Sequence, residues 1–308
     1  MNRSFARIGL AGLTGVALLA LTACAGGDPL AEDAAAGGAD SGSSVVIGSA
    51  DFAESQLVAT IYSLALQDAG VDVDEKFNIG SREVYIEAVQ DGSIDLVPDY
   101  AGSLLKYLDT KATASSTEDV LAALGKVLPD TLTMLDASDA QDKDVLAVTQ
   151  ETADKYDLET ISDLEPVAGE ISLGGPPEWK TRVNGVVGLE DVYGLKFKEF
   201  VSLDAGGPLT MTALISGQVQ AGDIFSTDPG IAENDLVSLE DDKSLFAAEN
   251  VLPIVRTDKV DDTVTATLNE VSAALTTEDL IEMNGRAATG EALADIAEDW
   301  LTDTGLLK

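Results

Sequence analysis

The sequence predicts an α/β protein, because short apolar strands alternate with amphipathic helices along most of the chain. Three observations support this fold class: the strand–helix pattern that starts at Val45, a pattern shared by residues 87–100 and 212–225, and a helical C-terminal third. Strands that are joined through helices pair in parallel and are covered on both faces. We therefore expect mostly parallel sheets flanked by helices.

The predicted elements of the first half begin with a strand at 45–47 and alternate from there. A helix follows at 57–65, then a strand at 75–79, a helix at 84–89 and a strand at 94–97. Apolar residues three and four positions apart mark the first helix, and Gly70 ends it because glycine commonly follows a last helical turn.

The second half repeats the alternation and then becomes helical. Its elements are a strand at 171–173, a helix at 189–193, a strand at 197–203, a helix at 209–215 and a strand at 219–225. Three helices are predicted after them, at 264–275, 277–284 and 293–301.

Two segments repeat one pattern at an offset of 125, namely residues 87–100 (EAVQDGSIDLVPDY) and 212–225 (TALISGQVQAGDIF). Both contain a helix end, a turn glycine and a terminal aromatic, Tyr100 or Phe225. Chance is the competing explanation, because helix–glycine–strand units are common in α/β proteins. If the repeat is real, two lobes each place a ring where ligands of open α/β sheets bind, and we expect hinge closure around a ligand.

The composition excludes several classes of function. The formal net charge is −37, and such an acidic surface repels phosphate backbones, so we expect no nucleic-acid partner. The chain has no histidine, and its one cysteine is Cys24, which removes the commonest general base and metal ligand and any cysteine pair. We therefore expect neither an enzyme nor a cofactor or metal site.

One acidic run needs a separate interpretation. Asp136, Asp139, Asp142 and Asp144 lack the spacing and the glycine of a calcium loop. We expect a solvated acidic loop here, with Asp144 as the candidate exception.

The N-terminus is typical of a secretory signal. Arg3 and Arg7 precede an apolar run from Ile8 to Leu21, which is short for a membrane-spanning helix of roughly 20 residues. The sequence Leu21–Cys24 resembles a bacterial lipobox, in which the cysteine becomes lipidated; an ordinary signal peptide is the alternative. The resulting expectations are a signal peptide at 1–23, lipidation of Cys24, a flexible tether at 24–44 and a lipid-anchored location on the extracellular face of the cell membrane.

Nearly the whole mature chain resembles the substrate-binding proteins of osmoprotectant ABC importers, the glycine betaine, choline and carnitine group. The matching segments are IGSADFAESQLVA (47–59), NIGSREVYIEAVQDGSIDLVPDYAG (78–102), LKFKEFVSLD (195–204), FSTDPGI (225–231) and LEDDKSLF (239–246). The resemblance implies a two-lobed type II periplasmic-binding fold. Its first lobe is expected to contain 45–145 and 251–308 and its second 146–250, with crossover segments near 145 and 250.

In that family a quaternary ammonium is held in a cage of aromatic rings, because such a cation has no N–H to donate. By motif, two cage positions fall on Tyr100 and Phe225. Two further positions that carry tyrosine in relatives fall on Asp144 and Glu249. Carboxylates suit a cation that donates hydrogen bonds, so a non-methylated amine, a guanidinium or a polyamine is the alternative ligand. A second alternative is that both acids are simply exposed.

The resemblance implies several more candidates. Phe52 belongs to the first matching segment, and Trp179 occupies a position where relatives tend to carry an aromatic. Arg82 and Arg182 are candidates for an anion site, with a surface pair between Arg82 and an acid such as Glu83 as the alternative. Thr227 and Asp228 follow Phe225 and either bind ligand or cap the next helix.

These expectations define an extracytoplasmic solute-binding protein that takes up a small cationic or zwitterionic amine in an interlobe cleft. Its expected partners are the permease and ATPase subunits of an ABC importer and, through the lipid anchor, the membrane. An extracellular carboxylate-only hydrolase and a ligand sensor are the competing functions.

Overall fold

The computed structural model describes residues 44–307. The expected signal peptide, the lipidation site Cys24 and the tether as far as residue 43 lie outside the described residues. Within residues 44–307, none of the helices has the length and hydropathy that crossing a membrane requires.

Ten strands and eleven α-helices alternate along the described chain, which confirms the predicted α/β class. The strands are β1 (Val45–Gly48), β2 (Val73–Lys76), β3 (Leu96–Tyr100), β4 (Leu132–Met134), β5 (Asp144–Thr149), β6 (Ser172–Gly175), β7 (Glu199–Ser202), β8 (Ala221–Phe225), β9 (Leu236–Ser238) and β10 (Val251–Arg256). The helices are α1 (Ala53–Asp68), α2 (Arg82–Asp91), α3 (Ala101–Leu108), α4 (Thr117–Val127), α5 (Gln150–Tyr156), α6 (Val186–Tyr193), α7 (Pro208–Ile215), α8 (Gly230–Glu233), α9 (Asp262–Ala274), α10 (Thr277–Ala288) and α11 (Leu293–Asp303).

The strands form two five-stranded sheets, one in each lobe. The first has the order β2-β1-β3-β10-β4 and the second the order β7-β6-β8-β5-β9. In each sheet one strand pairs in parallel with both of its neighbours: β1 with β2 and β3, and β6 with β7 and β8. This confirms the parallel pairing that the alternation predicts.

Each sheet also contains one reversed strand, which the sequence analysis did not predict. β10 runs antiparallel to β3 and β4, and β5 runs antiparallel to β8 and β9. Both sheets are therefore mixed. Both reversed strands enter their sheet directly after the chain has crossed from the other lobe, so neither is joined to its neighbours through the local strand–helix–strand pattern of that lobe.

The two crossover segments lie side by side between the lobes. Gln141 forms a β-bridge with Asn250, and the Asp142 N–H donates to the Glu249 carbonyl at 3.2 Å. Since β5 begins at Asp144, residues 144 and 145 belong to the second sheet rather than to the first lobe. Two adjacent extended crossings are suited to hinge motion between lobes.

The repeated pattern corresponds to equivalent structure in the two lobes. Each copy is a helix, a glycine with positive φ (81° at Gly92, 71° at Gly217) and a strand. After the glycine, the N–H of Ile94 donates to the Ala88 carbonyl at 3.1 Å, and the N–H of Val219 donates to the Ala213 carbonyl at the same distance. The copies end at Tyr100 and Phe225 respectively, so each lobe presents a ring at an equivalent strand end.

The first lobe packs α1 against its sheet and against the C-terminal helices. Leu57, Val58 and Ile61 of α1 are fully buried, together with Leu268 of α9 and Leu301 of α11. Burying an aliphatic side chain of this size contributes roughly 1.5–3 kcal/mol. This core fixes the N-terminus of α1, and with it Phe52, at the side of the lobe that faces the second sheet.

Candidate ligand-binding cleft

A cleft separates the carboxyl ends of the parallel strands of the two lobes. It encloses about 580 Å³ of empty space, including its open mouth. The first lobe contributes residues after β1, at the start of α2 and at the end of β3, and the second contributes residues after β6 and β7 and on β5 and β8. Seven of the predicted site residues line it: Phe52, Arg82, Tyr100, Asp144, Trp179, Arg182 and Phe225.

Aromatic rings from both lobes meet across the cleft. Phe52 lies directly before α1, with its ring centroid 5.0 Å from that of Phe225 and 5.8 Å from that of Tyr100. Trp179 adds an indole that is only 1% exposed. Tyr100 and Phe225 therefore share one crevice, with Phe52 between them. The Tyr100 hydroxyl is not free, since it donates to the Glu54 carboxylate at 2.8 Å.

Arg82 lines the cleft, but its guanidinium group is bound to a buried acid of the first lobe. Its Nε and Nη2 donate to Asp99 Oδ1 at 3.0 and 2.8 Å, and Asp99 has no exposed surface. Asp99 also accepts from the Tyr85 hydroxyl at 3.0 Å and the Tyr100 N–H at 2.7 Å. The surface pair with Glu83 is therefore wrong for Arg82, which instead holds a buried acid and the strand end carrying Tyr100.

Arg182 forms the pair with Glu83 and thereby connects the two lobes. Its Nε and Nη2 donate to the two Glu83 oxygens at 3.0 and 2.9 Å. Burial opposes ionisation of Glu83, but the hydrogen bonds from Arg182 and Ser81 prevail and lower its pKa to about 2. Asn184 adds a second interlobe contact, donating to the Ser103 hydroxyl at 3.1 Å. The structure therefore shows the lobes in contact across the cleft.

Asp144 begins β5 and faces the cleft opposite Phe225. Its carboxylate accepts from Trp179 Nε1 at 3.4 Å and from Asn184 Nδ2 at 3.3 Å. Burial raises the pKa of Asp144, and the positive charge of Arg182 opposes that rise. Of the two acids expected to replace cage rings, Asp144 is the one that lines the cleft.

Glu249 lies behind the cleft instead. It is 4% exposed, does not line the cleft, and accepts from the N–H and the hydroxyl of Ser103 at 2.9 and 2.7 Å. Ser103 is in the first turn of α3, so Glu249 caps that helix. Burial raises the pKa of Glu249 to about 7, although the Ser103 hydrogen bonds lower it. The alternative that Glu249 is simply exposed is therefore wrong.

The interpretation of the acidic run as a solvated loop is wrong for Asp142. This residue is 5% exposed, lines the cleft, and accepts from the Thr227 N–H and the Ser226 hydroxyl, both at 3.1 Å. Burial and the nearby Glu54 charge raise its pKa well above the usual range. The reason is its position on the crossover segment, which runs between the lobes rather than over the surface.

Thr227 and Asp228 lie at a neighbouring groove and do not line the cleft. The Thr227 hydroxyl donates to Glu54 at 2.5 Å and accepts from Asn284 Nδ2 at 3.1 Å. Asp228 accepts from the Gly230 N–H at 2.7 Å at the start of α8. Asp228 therefore caps the next helix, one of its two expected roles, and Thr227 joins the lobes.

Sequence reasoning missed Asp223, a buried acid that lines the cleft from β8. Its side chain is 1% exposed, and both its oxygens are buried without a hydrogen-bond partner in residues 44–307. Burial, and secondarily the Asp144 charge, raises its pKa well above the usual range. The one available signal was its place two residues before Phe225, since alternate strand residues share a face.

The carboxyl-rich lining of the cleft favours a cationic ligand. Five carboxyl groups and two guanidinium groups face it, and both guanidinium groups already have carboxylate partners in Asp99 and Glu83. Rings supply negative π-faces in the same space. A positive group that is shielded from water between rings and carboxylates is the species that this arrangement stabilises.

The fold and this site correspond to a solute-binding protein. Residues 43–303 match the family model described as the substrate-binding domain of ABC-type glycine betaine transport systems. The chain therefore belongs to that family, as the sequence resemblance predicted, and its members are solute-binding proteins of ABC importers.

Curated relatives support the assignment. The chain is 28% identical over 241 residues to the carnitine transport binding protein OpuCC of Listeria monocytogenes, which covers 76% of this chain and 78% of that protein. It is 29% identical over 219 residues to a glycine-betaine-binding protein of Pseudomonas aeruginosa, which covers 67% of this chain and 69% of that one.

A solved structure supports the two-lobed fold. The crystal structure of a glycine betaine/carnitine/choline ABC transporter protein superposes with a TM-score of 0.68 at 24% identity, covering 86% of this chain and all of the other. The two-lobed periplasmic-binding architecture that the sequence predicted is thus confirmed.

Proposed function

We propose that this protein captures a small organic ammonium ion, cationic or zwitterionic, outside the cytoplasm and delivers it to the permease and ATPase subunits of an ABC importer. The ligand class is that of glycine betaine, choline and carnitine. The observation that supports it most strongly is the meeting of Phe52, Tyr100 and Phe225 from two lobes in one cleft rich in carboxylates.

The physical basis is the attraction of a cation to ring faces, which contributes roughly 0.5–2 kcal/mol per ring as the cation loses water. Closure of the lobes provides that desolvation. Because the lobes meet through Arg182–Glu83 and Glu54–Thr227, ligand contact on both sides favours the closed state that an importer recognises.

Calorimetric titration with glycine betaine, choline, carnitine and their less methylated analogues tests the proposal. We expect one-to-one binding without turnover and a weakening of roughly 1–3 kcal/mol in Tyr100→Ala. Tyr156→Ala is the control, because Tyr156 lies on α5 and does not line the cleft. Absence of binding across the panel, or equal affinities for Tyr100→Ala and wild type, contradicts the proposal.

The protein is proposed to act as a carrier and not as an enzyme. Mass spectrometry of the bound panel compounds after long incubation checks this, and an altered compound contradicts it. Membrane anchoring through Cys24 belongs to the same proposal. Its test is expression of Cys24→Ala in a bacterial host: we expect loss of metabolic acyl labelling, and unchanged labelling contradicts the anchor.

A further inference from the structure

Asp223 differs from the other buried acids of the cleft in having no partner. Among residues 44–307, it is the carboxylate for which both oxygens are buried and neither has a hydrogen bond. Asp142 and Asp144, by contrast, each accept hydrogen bonds from two groups. Buried polar groups in native proteins are nearly always hydrogen-bonded, so a carboxyl group in this state indicates a partner that arrives from elsewhere.

The surroundings explain why the protein itself supplies no donor. The adjacent strand β6 ends in Gly174 and Gly175, and a Cβ built on Gly175 would lie 3.2 Å from the Asp223 Cβ. The cross-strand partner of Asp223 is Leu146, which is apolar. The ionisable groups that influence Asp223 electrostatically are the acids Asp144, Asp142 and Glu178 and the base Arg182, and Arg182 already binds Glu83.

Asp223 and Phe225 lie on the same face of the second sheet. Phe225 is two residues further along β8, and Asp144 is opposite Phe225 on β5. A small ion in contact with the Phe225 ring is therefore within reach of two carboxyl groups, one of which has no protein donor. Rings suit the carbon-bearing side of an organic cation, and the carboxyl groups suit any N–H that it carries.

We infer that Asp223 accepts a hydrogen bond from the ligand, so that the preferred ligand is an ammonium or guanidinium ion with at least one N–H rather than a fully methylated one. This inference depends on the proposed function, because it specifies which member of the organic-ammonium class the cleft selects. A fully methylated nitrogen offers no donor and leaves Asp223 buried without a partner, which disfavours its binding.

Two series of compounds that differ only in N-methylation test the inference. One is glycine, sarcosine, dimethylglycine and glycine betaine; the other is ethanolamine, its mono- and dimethylated forms, and choline. For the wild-type full chain, calorimetric titration is expected to give tighter binding for members with an N–H than for the fully methylated member of the same series.

Asp223→Asn nearly preserves the size of the side chain, so it tests the effect of the hydrogen bond on binding apart from the packing of the site. We expect it to weaken the N–H members at least tenfold and the fully methylated members less than threefold. Asp223→Ala, which removes the remaining acceptor as well, should weaken the N–H members further and serves where Asp223→Asn does not fold. The control is Asp191→Asn, which makes the same substitution at an exposed acid on α6 outside the cleft.

The outcomes distinguish this inference from the proposed function. If no member of either series binds wild type, the proposed function fails and the inference with it. If members bind but both Asp223 variants weaken all of them equally, or weaken none more than Asp191→Asn does, the proposed function stands and the inference is overturned. A wild-type preference for the fully methylated members overturns it as well.

Discussion

Each lobe has a buried aspartate near an equivalent strand end, and the two aspartates differ in their hydrogen bonding. In the first lobe, Asp99 beside Tyr100 is held by Arg82, the Tyr85 hydroxyl and a backbone N–H. In the second, Asp223 near Phe225 has no hydrogen-bond partner within residues 44–307. The difference indicates that one acid stabilises the lobe and that the other is available to a ligand, although the same helix–glycine–strand unit carries both.

The largest expected effect is a difference in the free energy of unfolding between variants of these two acids. Asp99→Asn leaves the buried Arg82 without its counter-charge, and we expect it to lower the free energy of unfolding by roughly 3–5 kcal/mol. Asp223→Asn removes an unpaired buried acid, so it should leave the ligand-free protein at pH 7 as stable as wild type or more stable. Urea unfolding measures both.

The comparison fails if the two variants lose similar stability. Asp223→Asn would then disrupt a structural contact, and Asp223 would not be the free acid of the pair.

Glu249 is an intermediate case, since it is buried and, within residues 44–307, accepts hydrogen bonds from the neutral Ser103 alone. Its pKa is raised from 4.5 to about 7, so the folded state binds more protons than the unfolded state between these values. The protonated Glu249 therefore stabilises the folded state at low pH. About 3 kcal/mol of this stability is lost as the pH rises from 4.5 to 7. We expect Glu249→Gln to remove that part of the pH dependence.

Thermal unfolding of Glu249→Gln and wild type across this pH range provides the check. Identical slopes for the two proteins would show that Glu249 keeps an ordinary pKa in the folded state.

The turn glycines allow a direct test of lobe equivalence. Both have positive φ, so alanine at either is expected to cost about 1 kcal/mol. At Gly92 an added Cβ would also overlap the Arg256 guanidinium, which pairs with the buried Asp95, whereas Gly217 has no neighbour within 4 Å. Gly92→Ala should therefore destabilise by about 1 kcal/mol more than Gly217→Ala in urea unfolding, and equal losses would contradict this difference.

The smallest expected effect concerns the ion pair that joins the lobes. Glu83→Gln should weaken ligand binding by up to about fivefold, because it removes one contact of the closed state. Glu83 is 41% exposed, so solvent and salt screen the pair, and the difference from wild type should shrink at high ionic strength. A loss that is independent of salt would assign Glu83 a different role.

Much of the fold was predictable because helix–strand alternation and turn glycines are local signals. The reversed directions of β5 and β10 were not predictable, because a buried apolar strand such as Val251–Arg256 has the same apolar pattern whether it pairs in parallel or antiparallel. Only the partner strand sets its orientation, and that partner is distant in sequence.

The ring positions of the site were predictable from motifs, whereas the acids were not. Tyr100 and Phe225 end strands in segments with a recognisable pattern. The state of an acid depends on distant partners: Thr227 and Asn284 both bind Glu54, across 173 and 230 residues. The free state of Asp223 depends likewise on Gly175 and Leu146 supplying no donor.

A crystal structure of the protein with the tightest-binding member of the two methylation series tests the central claim most directly. We predict the ligand nitrogen between the rings of Tyr100 and Phe225, within roughly 6 Å of a ring centroid, with an N–H directed at Asp223. A ligand seated in the neighbouring groove at Asp228, or one whose nitrogen contacts neither ring, would contradict the account.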